Sequence, residues 1–134
     1  MQTFLPYADF ARSAACLDRQ RLGKQRVECM QILQSLRIGG GWSNHPAVKM
    51  WCGYEKSLEN YAAATVSEWV RRGYKNNMLF RIFGPGDYEN PPWLGDEAFH
   101  AAHRAALLAK NPEWYGQWGW TEEPVINYIW PSAA

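Results

Sequence analysis

Arg19, Arg21, Lys24 and Arg26 crowd into one short stretch that ends on Glu28. Cations at that density bind phosphates, and a carboxylate among them can move protons or stabilise a developing positive charge. Written as a helix at about 100° per residue, Lys24, Glu28, Arg21 and Gln25 share an arc about 100° wide. Ile32, Leu36, Cys29, Leu22, Leu33 and Met30 fill the half beside it and predict a core face. Arg26 falls inside that apolar half, where an unpaired charge is expensive, so it needs a partner or a task. The same spacing also fits an ordinary solvated face, with Lys24 and Glu28 as an i,i+4 pair contributing a few tenths of a kcal/mol.

Other chemistries find little support. The chain contains no GxSxG, P-loop, GxGxxG or HExxH sequence, so the reactions those motifs serve lack their usual signature. His100 and His103 lie three apart and could meet His45 at a metal, but no cysteine or carboxylate is placed to complete the set. Histidines in that pattern more often bond to a backbone or a phosphate, and neither a metal nor a cofactor is expected. A more informative mixture is Trp42, Trp51, Tyr54, Trp69 and Tyr74 interleaved with His45, Lys49, Arg71, Arg72 and Lys75. Such residues stack bases and neutralise phosphates, although tryptophans also serve as ordinary core residues.

The elements that must hold these groups follow from the local pattern. Met1 to Tyr7 reads as an extended lead-in with Pro6 excluding an early helix, and Asp9 caps a short helix over Phe10 to Cys16. Asp18 caps the central helix, which runs to about Arg37 and stops at Gly39-Gly40-Gly41. Gly23 inside it costs roughly 1 kcal/mol against alanine, which points to a close approach by another backbone or a ligand. Ser43 or Asn44 caps a long helix from Pro46 to Arg71-Arg72-Gly73, bent near Gly53, with Val48, Trp51, Cys52, Leu58, Tyr61, Ala62, Val66, Trp69 and Val70 inward. Residues 74 to 95 read as a loop, and Asp96 caps a further helix ending before Asn111-Pro112, with Phe99, Ala102, Ala106 and Leu107 inside. The tail from Glu113 to Pro131 reads as an aromatic wrapper with one short strand near Val125 to Tyr128. Together these predict an all-α domain of three to four helices, with a long loop and an irregular aromatic-rich C-terminal tail, spanning residues 1–134.

At 134 residues, 47% of them hydrophobic, the chain has material for one core. Cys16, Cys29 and Cys52 show no CxxC spacing and are expected as reduced core thiols. No apolar run reaches membrane length and no signal-peptide pattern opens the chain, so the expected compartment is the cytoplasm. Net charge is only +1, yet residues 71–81 carry +4 and residues 82–134 carry −5. A molecule so polarised can bind a polyanion locally despite near-neutrality.

The stretch Arg21-Leu22-Gly23-Lys24-Gln25-Arg26-Val27-Glu28 resembles the catalytic helix of the pyrimidine-dimer DNA glycosylase/AP-lyase superfamily, the endonuclease V-like enzymes. Asn44-His45-Pro46-Ala47-Val48 leading to Glu68-Trp69-Val70-Arg71-Arg72-Gly73-Tyr74 is similar to that family's middle helix. Phe99-His100-Ala101-Ala102-His103-Arg104 through Asn111-Pro112-Glu113-Trp114-Tyr115-Gly116 resembles its last helix and the turn that follows.

That resemblance implies a glycosylase with coupled AP-lyase activity on a damaged or modified pyrimidine, in which the α-amine of Met1 forms a Schiff base with the sugar. An α-amine titrates at about 7.7 to 8, so a useful fraction is neutral at working pH. Glu28 would be the catalytic carboxylate, and Gln2, Arg19, Arg21, Lys24, Gln25, Arg26, His45, Arg71, Arg72 and His103 would contact nucleic acid. The implied partner is duplex DNA with a flipped or damaged nucleotide, bound by a monomer away from any membrane. Arg26 matches the family's helix arginine, but there the glutamate follows directly, whereas here Val27 intervenes and turns the carboxylate by about 100°. The register differs, Glu28 serves from the neighbouring angle, or the acid is lost; Lys24 is the alternative nucleophile. A competing reading is a non-catalytic nucleic-acid or nucleotide binder on the same scaffold, and a third is a protein-interaction domain using the tryptophan-rich tail.

Overall fold

The computed structural model describes residues 1–41, 43–77 and 88–131. Its elements are α1 (Phe10–Cys16), α2 (Arg19–Ile38), α3 (Pro46–Lys49), α4 (Glu55–Arg71), α5 (Glu97–Lys110), α6 (Pro112–Tyr115) and a 3₁₀ turn over Gly116–Trp118. The architecture is all-α, with α2 and α1 packed on α4. Trp42 and the tip of the expected loop, residues 78–87, lie outside the described residues.

The first helices begin and end where their capping residues dictate. Asp9 accepts from the Arg12 N–H at the start of α1, and Asp96 accepts from the Ala98 N–H at the start of α5. Asp18 precedes α2 but does not cap it through its side chain. Its carboxylate is held instead by the Tyr115 hydroxyl and by Arg21 Nη1 at 3.1 Å. The expected single helix from Pro46 to Arg71 is two. α3 ends after one turn, and Gly53, at φ +85°, reverses the chain before α4 starts. A left-handed glycine lets the chain turn sharply enough to bury Trp51, which is fully enclosed. That turn leaves Cys52 exposed, whereas Cys16 and Cys29 are the expected core thiols. Burial pushes the Cys16 thiol up to about 12. Val70, placed inward by periodicity, is also exposed.

Two apolar clusters form the interior. One gathers Leu5, Cys29, Ile32, Leu33, Trp51, Leu58, Tyr61 and Phe99; the other gathers Phe4, Leu17, Leu22, Leu107, Leu108 and Tyr115. The extended N-terminal segment runs between them. Adjacent side chains of an extended chain point to opposite faces, so Phe4 enters one cluster and Leu5 the other. The C-terminal tail closes over the second cluster: Trp120 stacks on Tyr115 at 5.6 Å between centroids, and Tyr128 meets Phe4 edge-on at 6.1 Å. No strand forms among the described residues, so the expected strand near Val125 to Tyr128 is replaced by an extended segment whose Val125 N–H bonds to Ala105 O at 3.2 Å.

Candidate functional site

A buried segment without helix or sheet still carries polar backbone groups, and each one left unbonded would be costly. Here side chains from three helices bond to them. Gln25 of α2 accepts from the Phe4 N–H at 2.8 Å and donates to Gln2 O at 2.7 Å. Tyr61 of α4 donates to Phe4 O at 2.6 Å. On α5, His103 Nδ1 accepts from the Leu5 N–H at 2.8 Å, His100 Nδ1 lies 2.7 Å from Leu5 O, and Arg104 donates to Pro6 O at 2.8 Å. Because His100 Nε2 accepts from the Gly95 N–H at 2.9 Å, its proton sits on Nδ1 and is donated to Leu5.

This clamp delivers Met1 to the flank of α2. The Gln2 N–H donates to Glu28 Oε2 at 3.3 Å, and Gln25 Nε2 donates to the same oxygen at 3.0 Å. Met1, Gln2, Arg21, Lys24 and Glu28 line one cavity of about 240 Å³, with Lys110 and Tyr128 closing it. His45 belongs to the same electrostatic neighbourhood. Burial first, then the Met1 ammonium, hold its imidazole below the ordinary histidine range, while Glu28 pulls the other way. Its Nδ1 accepts from the Ala47 N–H at 3.0 Å, so His45, and neither Ser43 nor Asn44, caps α3.

The expected site residues therefore separate. Met1, Gln2, Arg21, Lys24 and Glu28 come together. Gln25 is 1% exposed, and its amide bonds to Gln2, Phe4, Tyr61 and Glu28 in place of any ligand. His103 is fully buried, and desolvation drops its pKa to about 3. Arg26 stacks on Trp69, its guanidinium carbon 4.1 Å from the ring centroid, and donates to Asn76 Oδ1 at 2.6 Å. That is the partner its place in the apolar half required. Arg19 lies outside the cavity, over Tyr74 at 5.1 Å. Arg72 donates to Leu17 O at 2.7 Å and Ala15 O at 3.0 Å, tying the end of α4 to the α1–α2 junction. It shares Glu68 with the exposed Arg71, whose hydrogen bond is the main reason that carboxyl is held below the usual range.

Tyr61, His100 and Tyr115 were not singled out for the site, although they build its support. Only contact across the fold reveals them, since each acts on a residue more than fifty positions away. Among the described residues no group of three His, Cys, Asp or Glu side chains is arranged to hold a metal. Likewise no described helix is long and apolar enough to cross a membrane.

The sequence model of the pyrimidine dimer DNA glycosylase family matches residues 1–82. The chain belongs to that family. The matched part spans the N-terminal segment, α2 and α4, the elements that bring Met1 beside Glu28. For a pyrimidine dimer DNA glycosylase, the remaining residues supply α5 and the tail, which clamp Leu5 and close the cavity. No curated protein and no solved structure matches the chain.

Proposed function

We propose that this DNA glycosylase removes a damaged or modified pyrimidine from duplex DNA and cleaves the resulting abasic site, with the Met1 α-amine as nucleophile. The observation that carries this reading is the junction of Met1 with Glu28, Arg21 and Lys24 in one cavity. A neutral amine attacks C1′, and the glycosidic bond breaks as the base leaves with the bonding pair and takes up a proton. The sugar ring opens to a Schiff base when O4′ departs and is protonated. Loss of a C2′ proton then expels the 3′ phosphate by β-elimination. Glu28 is one residue from the amine through the Gln2 N–H and is the carboxylate placed to stabilise cationic sugar character and shuttle these protons. It works from the neighbouring helical angle created by Val27.

Arg21 and Lys24 in the cavity wall, with Arg19 and Arg71 on the exposed surface, are the phosphate contacts in this reading. Gln2 Nε2 is buried without a hydrogen-bond partner and lines the cavity, so a bound sugar or phosphate oxygen would satisfy it. Gln25 and His103 act by positioning Met1.

Borohydride trapping on an abasic-site duplex tests the mechanism. The expected adduct maps to Met1 by peptide mass, and Glu28→Gln lowers its rate about 100-fold or more with DNA affinity preserved. An adduct on Lys24 would move the nucleophile there. Binding without any adduct would replace the enzyme by a nucleic-acid binder on the same scaffold.

A further inference from the structure

A second and larger opening, about 620 Å³, lies on the other side of the Gln20–Lys24 row of α2. Positions four apart in a helix advance by only about 40°, so Gln20 and Lys24 form one row, and Arg19, Gly23 and Val27 form the next. The first row lines both openings; the second floors the larger groove, walled by Trp69 and Trp114. Trp69 comes so close to the helix that a Cβ added at Gly23 would lie 3.2 Å from its six-membered ring. The indole N–H groups are already engaged: Trp69 donates to Lys75 O at 2.9 Å and Trp114 to Cys16 O at 2.8 Å. Asp18, at the groove's edge, has its carboxylate held by Tyr115 and Arg21. What remains toward the groove is aromatic and aliphatic surface, rimmed by the cations Arg19 and Lys24.

We infer that this groove receives the extruded nucleobase whose sugar occupies the Met1 cavity, an inference that rests on the glycosylase reading above. Attack at C1′ leaves the base one bond from the reacting carbon, so its receptor must share a wall with the amine's cavity. Gln20 and Lys24 are that wall. The smaller cavity, with its amine, carboxylate and cations, suits the sugar and phosphates and gives a flat base no apolar face. The groove supplies that face, since bases stack on indoles whatever their sequence. Arg19 and Lys24 match the charge of the phosphates flanking an extruded nucleotide.

A duplex carrying 5-iodouracil opposite guanine tests the assignment, because the mismatch eases extrusion and the halogenated base cross-links to nearby aromatic side chains under light. The cross-link is expected on the peptides holding Trp69 or Trp114. Val27→Glu, at an exposed helix position, should lower its yield about tenfold, in line with the worth of one stacked base. Borohydride trapping on the abasic duplex, which offers no base at that site, should change less than twofold. Trp114→Leu, checked by circular dichroism, should repeat both results. A cross-link on Tyr128 or Trp130, or none, with trapping intact overturns the groove assignment alone. Equal loss of cross-linking and trapping in folded variants overturns it as well, because the groove would then hold backbone and not base. A groove cross-link with no trapping in the wild type keeps the base site and removes the Schiff-base mechanism.

Discussion

Gln25 and His103 do for the N-terminal segment what a neighbouring strand would do in a sheet. Each supplies a side-chain acceptor to a buried N–H two or three residues from the nucleophile. An unpaired buried N–H costs about 1 to 3 kcal/mol, so either loss loosens Met1. His103 adds a pH signature. Its imidazole is neutral when buried, with a pKa of about 3, whereas in the unfolded chain it titrates at about 6.5. Between those values only the unfolded state binds the proton. Stability is therefore complete above pH 6.5 and falls as pH drops toward 3, by a few kcal/mol at the lower end. His103→Gln keeps an acceptor for Leu5 and removes the titration. Melting temperatures of the wild type should decline between pH 7 and 4.5 more steeply than those of His103→Gln. Parallel curves would contradict this account.

At the level of elements, α2 combines roles that its sequence states with one it conceals. Its length, its glycine stop and its apolar half follow from local rules, and Leu22, Cys29, Ile32 and Leu33 are buried as expected. Gly23 signals a close approach, and the approaching group is the Trp69 ring. Alanine in an exposed helix interior gains about 1 kcal/mol over glycine. Here its methyl would press on an indole held by Arg26, Tyr74 and Lys75. Gly23→Ala should therefore destabilise by about 1 kcal/mol, a modest overpacking cost. In a Trp69→Leu background the same change should stabilise, and chemical denaturation of the four proteins measures the difference. The break at Gly53 was less legible. Helical periodicity continues through it, and the turn is chosen by the burial of Trp51, which donates from Nε1 to Thr3 Oγ1 at 3.1 Å.

Across the whole molecule the near-neutral net charge conceals a local concentration of cations. Arg19, Arg21 and Lys24 surround the two openings on one flank of α2, while residues 82–134 carry most of the acids. Affinity for an abasic-analogue duplex should fall steeply from about 50 to 200 mM salt as condensed counterions are released. Replacing one phosphate-contacting lysine, Lys24→Gln, should lower the slope of log affinity against log salt by about 1. An unchanged slope would take Lys24 out of the DNA interface.

Composition and local pattern were enough for the all-α class, the limits of α1, α2 and α5, and the family, because helix caps, glycine stops and 3.6-residue periodicity act within a few positions of one another. The pairing of Met1 with the Arg21–Glu28 stretch was legible through resemblance. The inward turn of Gln25, the removal of His103 from any ligand and the diversion of Arg72 to Leu17 and Ala15 were not. Those fates depend on an extended segment threaded between two apolar clusters, whose backbone groups need partners from helices far along the chain. A polar side chain on an amphipathic helix looks the same in sequence whether it meets water, DNA or the protein's own backbone. Only the packed fold selects its partner.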